Sequence, residues 1–160
     1  SQGSPTEGAM SLSLKIERLV GAVASHLSDN ITSGTTVEYP GSFVDTGAIN
    51  DWVCVRVAAM TRNAQRRRGT DHGKVMITVE IYAKRTAATY RASRIEEDIR
   101  AVLRHAEILV KDYGDSSEPT IAYLRVLEPD VGNQARQLGT PTRSDVRVLS
   151  VEFPALLQAA

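Results

Sequence analysis

From Lys74 to Lys84 apolar and polar residues alternate, and at about Thr86 the pattern changes to a helical one. Side chains on a strand point to opposite faces in turn, so Val75, Ile77, Val79 and Ile81 share one face. Met76, Thr78, Glu80 and Tyr82 share the other. Such a strand is half buried, and it predicts the centre of a small sheet that is covered on one side. Thr86 to His105 predicts the covering helix, with Ile95, Ile99, Val102, Leu103 and Ala106 on one stripe and Arg91, Glu96, Glu97, Arg100 and Arg104 mostly outside it. Glu96 and Arg100 have the spacing of a weak surface pair.

The remaining segments extend this pattern in both directions. Leu12 to Leu27 carries an amphipathic helical stripe through Ile16, Leu19, Val20, Val23 and Leu27, and it ends where Ser28, Asp29 and Asn30 compete for backbone hydrogen bonds. Thr36 to Tyr39 predicts a short strand stopped by Pro40 and Gly41. Trp52 to Met60 predicts a strand rich in β-branched residues. It joins the alternating strand as a long antiparallel hairpin. Ile108 to Tyr113, Thr120 to Glu128 and Ser144 to Phe153 predict further strands, the last two paired across a long loop from Pro129 to Arg143. The order predicts an α+β domain: a two-layer sandwich with a mainly antiparallel mixed sheet and two helices packed on one face.

The chain has 160 residues, enough for one domain with a core and too few for two of ordinary size. Ser1 to Ala9, rich in Gly, Ser and Pro ahead of Met10, is expected to be a disordered cloning remnant, leaving residues 10–160 as a single domain. Only 5% of residues are aromatic, so the core must come from Val, Ile, Leu and Ala. The 19 basic residues balance the 19 acidic ones, so only local patches can favour nucleic acid or another charged partner. Cys54 is the sole cysteine, which excludes an internal disulfide and a multi-cysteine zinc site. No run approaches the roughly 20 apolar residues that span a bilayer, so no membrane partner is expected.

The chemistry-bearing motifs are weak. His26, His72 and His105 lie apart, two on predicted helices and one in a loop, and none has metal-ligand spacing. Asp71 and His72 lack a nucleophile elbow. Gly69 to Lys74 is too short for a phosphate loop and leads into a strand. Asp112, Asp115 and Glu118 miss the calcium-loop pattern and read as a solvated turn. Asn30 to Thr32 is a glycosylation sequon by pattern only. No catalytic, metal or cofactor site is expected.

Arg62, Arg66, Arg67 and Arg68 stand in the loop between the hairpin strands with no acid among them. Guanidinium groups so arranged call for an anionic partner, either a nucleic-acid backbone or an acidic patch on a protein. Neutral net charge and the lack of interleaved aromatics favour protein. Arg136 and Arg143 give the second long loop the same character.

The order of these segments resembles the tail terminator, or tail-completion, proteins of long-tailed bacteriophages, also called minor tail proteins of the neck region. The resemblance runs from the helix with Ile16 to Val20, through Val53 to Val57 and the alternating Val75 to Ile81. It continues into the helix with Tyr90, Ile95, Ile99 and Leu103 and closes on the strand Asp145 to Phe153. It implies a subunit that assembles as a homohexameric ring, caps the tail tube and offers the surface that joins the head, without enzymatic activity or cofactor. The implied partners are the chain itself, the tail tube protein and a head-closure or connector protein, with DNA only passing through the channel. The implied location is the virion, after synthesis in the host bacterial cytoplasm. The resemblance assigns no individual residue; the arginines rest on their charge alone. A head-closure protein and a nucleic-acid-binding α+β module remain alternatives, and a small hydrolase using His72 comes third.

Overall fold

In a computed structural model the structure describes residues 16–39, 42–45, 47–62, 72–85, 87, 90–128, 136–137 and 146–159, with side chains at all of these except 16, 59–62, 72, 136 and 137. The fold is α+β. Helix α1 (Ile16–Asn30) leads to strand β1 (Thr36–Glu38), and the hairpin β2 (Asp51–Arg62) and β3 (His72–Lys84) leads to helix α2 (Arg91–Leu103). Strands β4 (Glu107–Lys111), β5 (Thr120–Val126), β6 (Arg136–Gln137) and β7 (Val146–Ala159) complete it. The sheet runs β1-β2-β3-β7-β5-β4, with β6 on the same edge of β7 as β5. Only β1 against β2 is parallel; every other pairing is antiparallel.

The alternating strand β3 lies in the middle of that order, between β2 and β7, and pairs with β7 along its whole length. Val75, Ile77, Val79 and Ile81 are buried, as the alternation requires. They meet Val53, Val55 and Val57 of β2, Val151 and Phe153 of β7, and Leu124 and Val126 of β5 in one core. The helices add Leu19, Val23 and Leu27 from α1 and Ala92, Ile95, Ile99 and Leu103 from α2 to the same core. Helix α1 touches β1, β2 and β4, strands at both ends of the sheet, whereas α2 rests on β3 and β7. One helix can reach both ends only if the sheet curls around it, as strand twist favours.

Several boundaries differ from the sequence reading. Helix α2 starts at Arg91 instead of Thr86, because Tyr90 adopts φ 63°, a left-handed backbone that cannot continue a right-handed helix towards Thr86. It ends at Leu103 rather than His105, which itself has φ 56°. Strand β3 begins at His72, so this histidine belongs to the strand and not to the loop. Strand β7 runs past Phe153 and through Pro154 to Ala159. Proline lacks an amide donor, but the Pro154 carbonyl accepts from Leu127 N at 2.9 Å, on the β5 side. The N and O of one strand residue share a side, so the missing donor faces that edge and the β3 ladder is intact. Residues Ser1 to Ala9 lie outside the described residues.

Candidate functional site

Of the sequence-derived arginines, Arg62 and Arg136 lie among the described residues, at separate register positions. Arg62 closes β2 opposite Gly73, and Gly73 pairs with Leu157 of β7. Arg136 stands in β6 opposite Ser150. Leu157 and Ser150 are seven residues apart on β7, so the two register positions are separated by roughly 23 Å along the strand direction. Arg66, Arg67, Arg68 and Arg143 lie outside the described residues.

The face of the sheet away from the helices carries the more informative side chains. Alternation puts Trp52, Cys54 and Arg56 of β2 on this face, and the register sets them against Tyr82, Glu80 and Thr78. Trp52 and Tyr82 stack with centroids 5.2 Å apart and planes 2° from parallel. The Tyr82 hydroxyl donates to Glu80 Oε2, and Arg56 Nε donates to Glu80 Oε1 at 2.9 Å. Glu80 is thereby buried to 6% exposure on a face where alternation alone predicts a half-exposed residue. Its two oxygens are both engaged, which is how a carboxylate tolerates burial. Next to it, the Cys54 thiol donates to Glu38 Oε2 at 2.6 Å, from the register position facing it on β1.

These contacts fix the chemistry of the cluster. Burial, followed by the hydrogen bond and charge of Glu38, pushes the Cys54 thiol up to about 12. Burial and then Glu80 push the Tyr82 phenol upward as well. Both shifts favour the protonated forms at neutral pH. The cluster is a set of donors and acceptors paired with one another.

Further along the same face, where β4, β5 and β7 meet, apolar side chains are left in the open. Leu109 faces Tyr123 across the β4–β5 pair, and Leu156 faces Arg125 across β5–β7. Leu109, Tyr123 and Leu156 are 50%, 46% and 39% exposed. Elsewhere, Tyr39 and Tyr113 flank a hollow of about 450 Å³ over Gly21 on α1, with Arg18 at its edge. Arg18 pairs with Asp112 at 3.4 Å.

Two carboxylates that the sequence reading did not single out fasten helix α2, one to the segment that follows α1 and one to strand β2. Asp98 of α2 accepts from the amides of Thr32 and Ser33 at 2.9 and 2.8 Å and from the Thr32 hydroxyl at 3.1 Å. Burial raises its pKa, but the Ser33 and Thr32 donors outweigh that, so it lies below its ordinary value. Asp51 holds Arg91 at 3.0 Å and the Thr35 hydroxyl at 2.6 Å. Here too burial pushes up, and Arg91 and Thr35 bring the net shift below the usual value. Thr32 drew notice only as part of a sequon; its contact is Asp98.

The remaining candidates have ordinary surroundings. His105 Nε2 lies 3.5 Å from Glu128, and His26 is on α1. Asp112 and Asp115 accept from the amides of Gly114 and Ser117, making local turns. Among the described residues no group of three or more His, Cys, Asp and Glu side chains is placed to hold a metal ion. No helix among them is long and apolar enough to cross a membrane.

No family model matches the sequence, and no curated protein matches it. Solved structures do share the fold. A chain from the virion of native gene transfer agent (GTA) particle superposes with a TM-score of 0.59 at 14% identity, covering 91% of this chain and 99% of that one. A second solved chain reaches a TM-score of 0.53 at 12% identity, covering 92% of this chain and 97% of its own.

Proposed function

We propose that this protein is a structural component of a phage-like virion, and within it a tail terminator: a subunit that forms a ring on the end of the tail tube and presents the surface that joins the head. The observation that carries the reading is the end-to-end likeness to a chain of the gene transfer agent virion, which leaves almost none of that chain unmatched. The open sheet face supports it, because Glu38, Cys54, Arg56, Glu80 and Tyr82 pair among themselves while Leu109, Tyr123 and Leu156 are exposed, a distribution suited to contact. In this reading Arg62, Arg66, Arg67 and Arg68, with Arg136 and Arg143 of the second loop, contact neighbouring subunits, the tube or the head-closure protein. It needs no cofactor and performs no reaction.

Closed cyclic assembly explains how growth stops: each head-to-tail contact is used up within the ring, and the outward face need not match another layer of tube. The test is to mix the purified protein with assembled tail tubes and separately with tailless heads, and to image both by negative stain. Rings on tube ends without heads are expected. Stable binding to heads alone would move the protein one level up, to head closure. Tight DNA binding that falls steeply with salt and vanishes when Arg66, Arg67 and Arg68 become Ala would favour a nucleic-acid module.

A further inference from the structure

The open sheet face and one loop are complementary in chemical character, apolar beside acid on the loop and apolar beside base on the sheet. Phe43, between β1 and β2, is 98% exposed, the most exposed of the large apolar side chains in the described residues. A ring this exposed is available for contact, with its whole face open to a partner. Two residues on, Asp45 is exposed as well. The patch where β4, β5 and β7 meet offers the reverse: Leu109, Tyr123 and Leu156 partly exposed, with exposed Arg125 beside them.

The spacings agree. Phe43 and Asp45 span at most about 7 Å of chain, and Tyr123 and Arg125, also two residues apart on one face of β5, are separated by roughly the same distance. With Phe43 against Tyr123 and Leu109, the chain span leaves Asp45, whose Oδ1 also accepts from Gly47 N at 3.0 Å, within reach of Arg125. Among the described residues neither Asp45 nor Arg125 has an ion-pair partner, although Glu107 stands at the register position facing Arg125.

We infer that the Phe43–Asp45 loop of one copy docks on the Leu109–Tyr123–Leu156 patch of the next, Asp45 pairing with Arg125. The occupant is a second copy because the chain itself supplies both halves, apolar to apolar and acid to base, and its own Phe43 is not seated. The contact is heterologous, the kind that closes into a ring, so the inference rests on the ring reading above.

The test uses two variants of the whole chain, Phe43→Ser and Tyr123→Asp. Phe43 is almost fully exposed, so Phe43→Ser should melt like wild type, and Tyr123→Asp, at a half-exposed strand position, should melt somewhat lower while staying folded at assay temperature. Each variant alone should lose rings, on tube ends and in solution. Mixed, the two have one intact contact between them: the Phe43 loop of Tyr123→Asp docks on the patch of Phe43→Ser. The pair should stop at a 1:1 dimer, read by light scattering and native mass spectrometry. Charge reversal gives a second measurement: Asp45→Arg and Arg125→Asp should each weaken association about tenfold, and the double variant should recover most of the loss. Variants that form rings like wild type, or a mixture that gives no dimer while wild type forms rings, would overturn the docking contact and leave the ring reading standing. A wild-type protein that forms no ring either free or on tubes removes both.

Discussion

The two faces of the sheet are made by the same strands and obey different rules. On the helix side, β3 presents Val75, Ile77, Val79 and Ile81, each at or near zero exposure, packed by the stripes of α1 and α2. On the other side the same strand presents Met76, Thr78, Glu80 and Tyr82, where burial comes from a stacked ring, a thiol and two hydrogen-bonded carboxylates. The first face is held by the removal of apolar surface from water, which is non-directional and tolerant of exchange among aliphatic residues. The second depends on particular donors meeting particular acceptors, and its exposed remainder is a group of apolar side chains beside Arg125. One face therefore carries the apolar burial that stabilises the fold, and the other carries paired polar groups beside exposed apolar ones.

Substitutions should separate the faces by size of effect. Phe153→Ala, at a fully buried position, should cost about 3–5 kcal/mol in denaturant unfolding. Leu109→Ser on the open face should change stability by no more than about 0.5 kcal/mol. Equal costs would mean that the open face is also core. Within the open face, Glu80→Ala should cost about 1–3 kcal/mol, because it strands the Tyr82 hydroxyl, and Glu80→Gln less, since it keeps an acceptor.

Acid should act on the helix side. Asp51 and Asp98 have folded-state pKa values below their ordinary ones, so the stability they contribute is present above about pH 4 and is lost as pH falls through the folded values. Melting temperature should drop below about pH 4, and Asp98→Asn should flatten that dependence while lowering stability at neutral pH by about 1–2 kcal/mol. The smallest effect expected is chemical: Glu38→Gln should raise the rate of Cys54 labelling by a thiol reagent about threefold to tenfold, by removing the charge that helps hold the thiol protonated.

What the sequence disclosed follows the same division. Alternation along β3 and the helical stripes of α1 and α2 fixed the buried face, because periodicity reports which side an element turns inward. The hairpin was legible from its two strands and the β5–β7 pairing from its long connection. The burial of Glu80 was not, since its cause is Arg56 and Tyr82, and Arg56 reaches it from another strand. Asp98 sits one residue before Ile99, at the margin of its helix's stripe, and nothing local marks it as the acceptor for amides more than 60 residues away. Tyr90, whose backbone delays the start of α2, carries a residue type that gives no warning of positive φ. The arginine loops, the clearest signal in the sequence, gave two register positions on different parts of the sheet and no shared site among the described residues.

Pro154 has a bearing on alignment. At Leu127 and Pro154 the β5–β7 ladder makes one bond of a possible two, and it goes no further. A slip of β5 by two residues towards the start of β7 would keep every side chain on its proper face, so hydrophobic patterning cannot reject it. Such a slip would ask the imide nitrogen for a proton it does not have. The proline thus acts as a one-way ratchet tooth for strand pairing, penalising a misalignment in that direction that the pattern of greasy and polar residues leaves undetected.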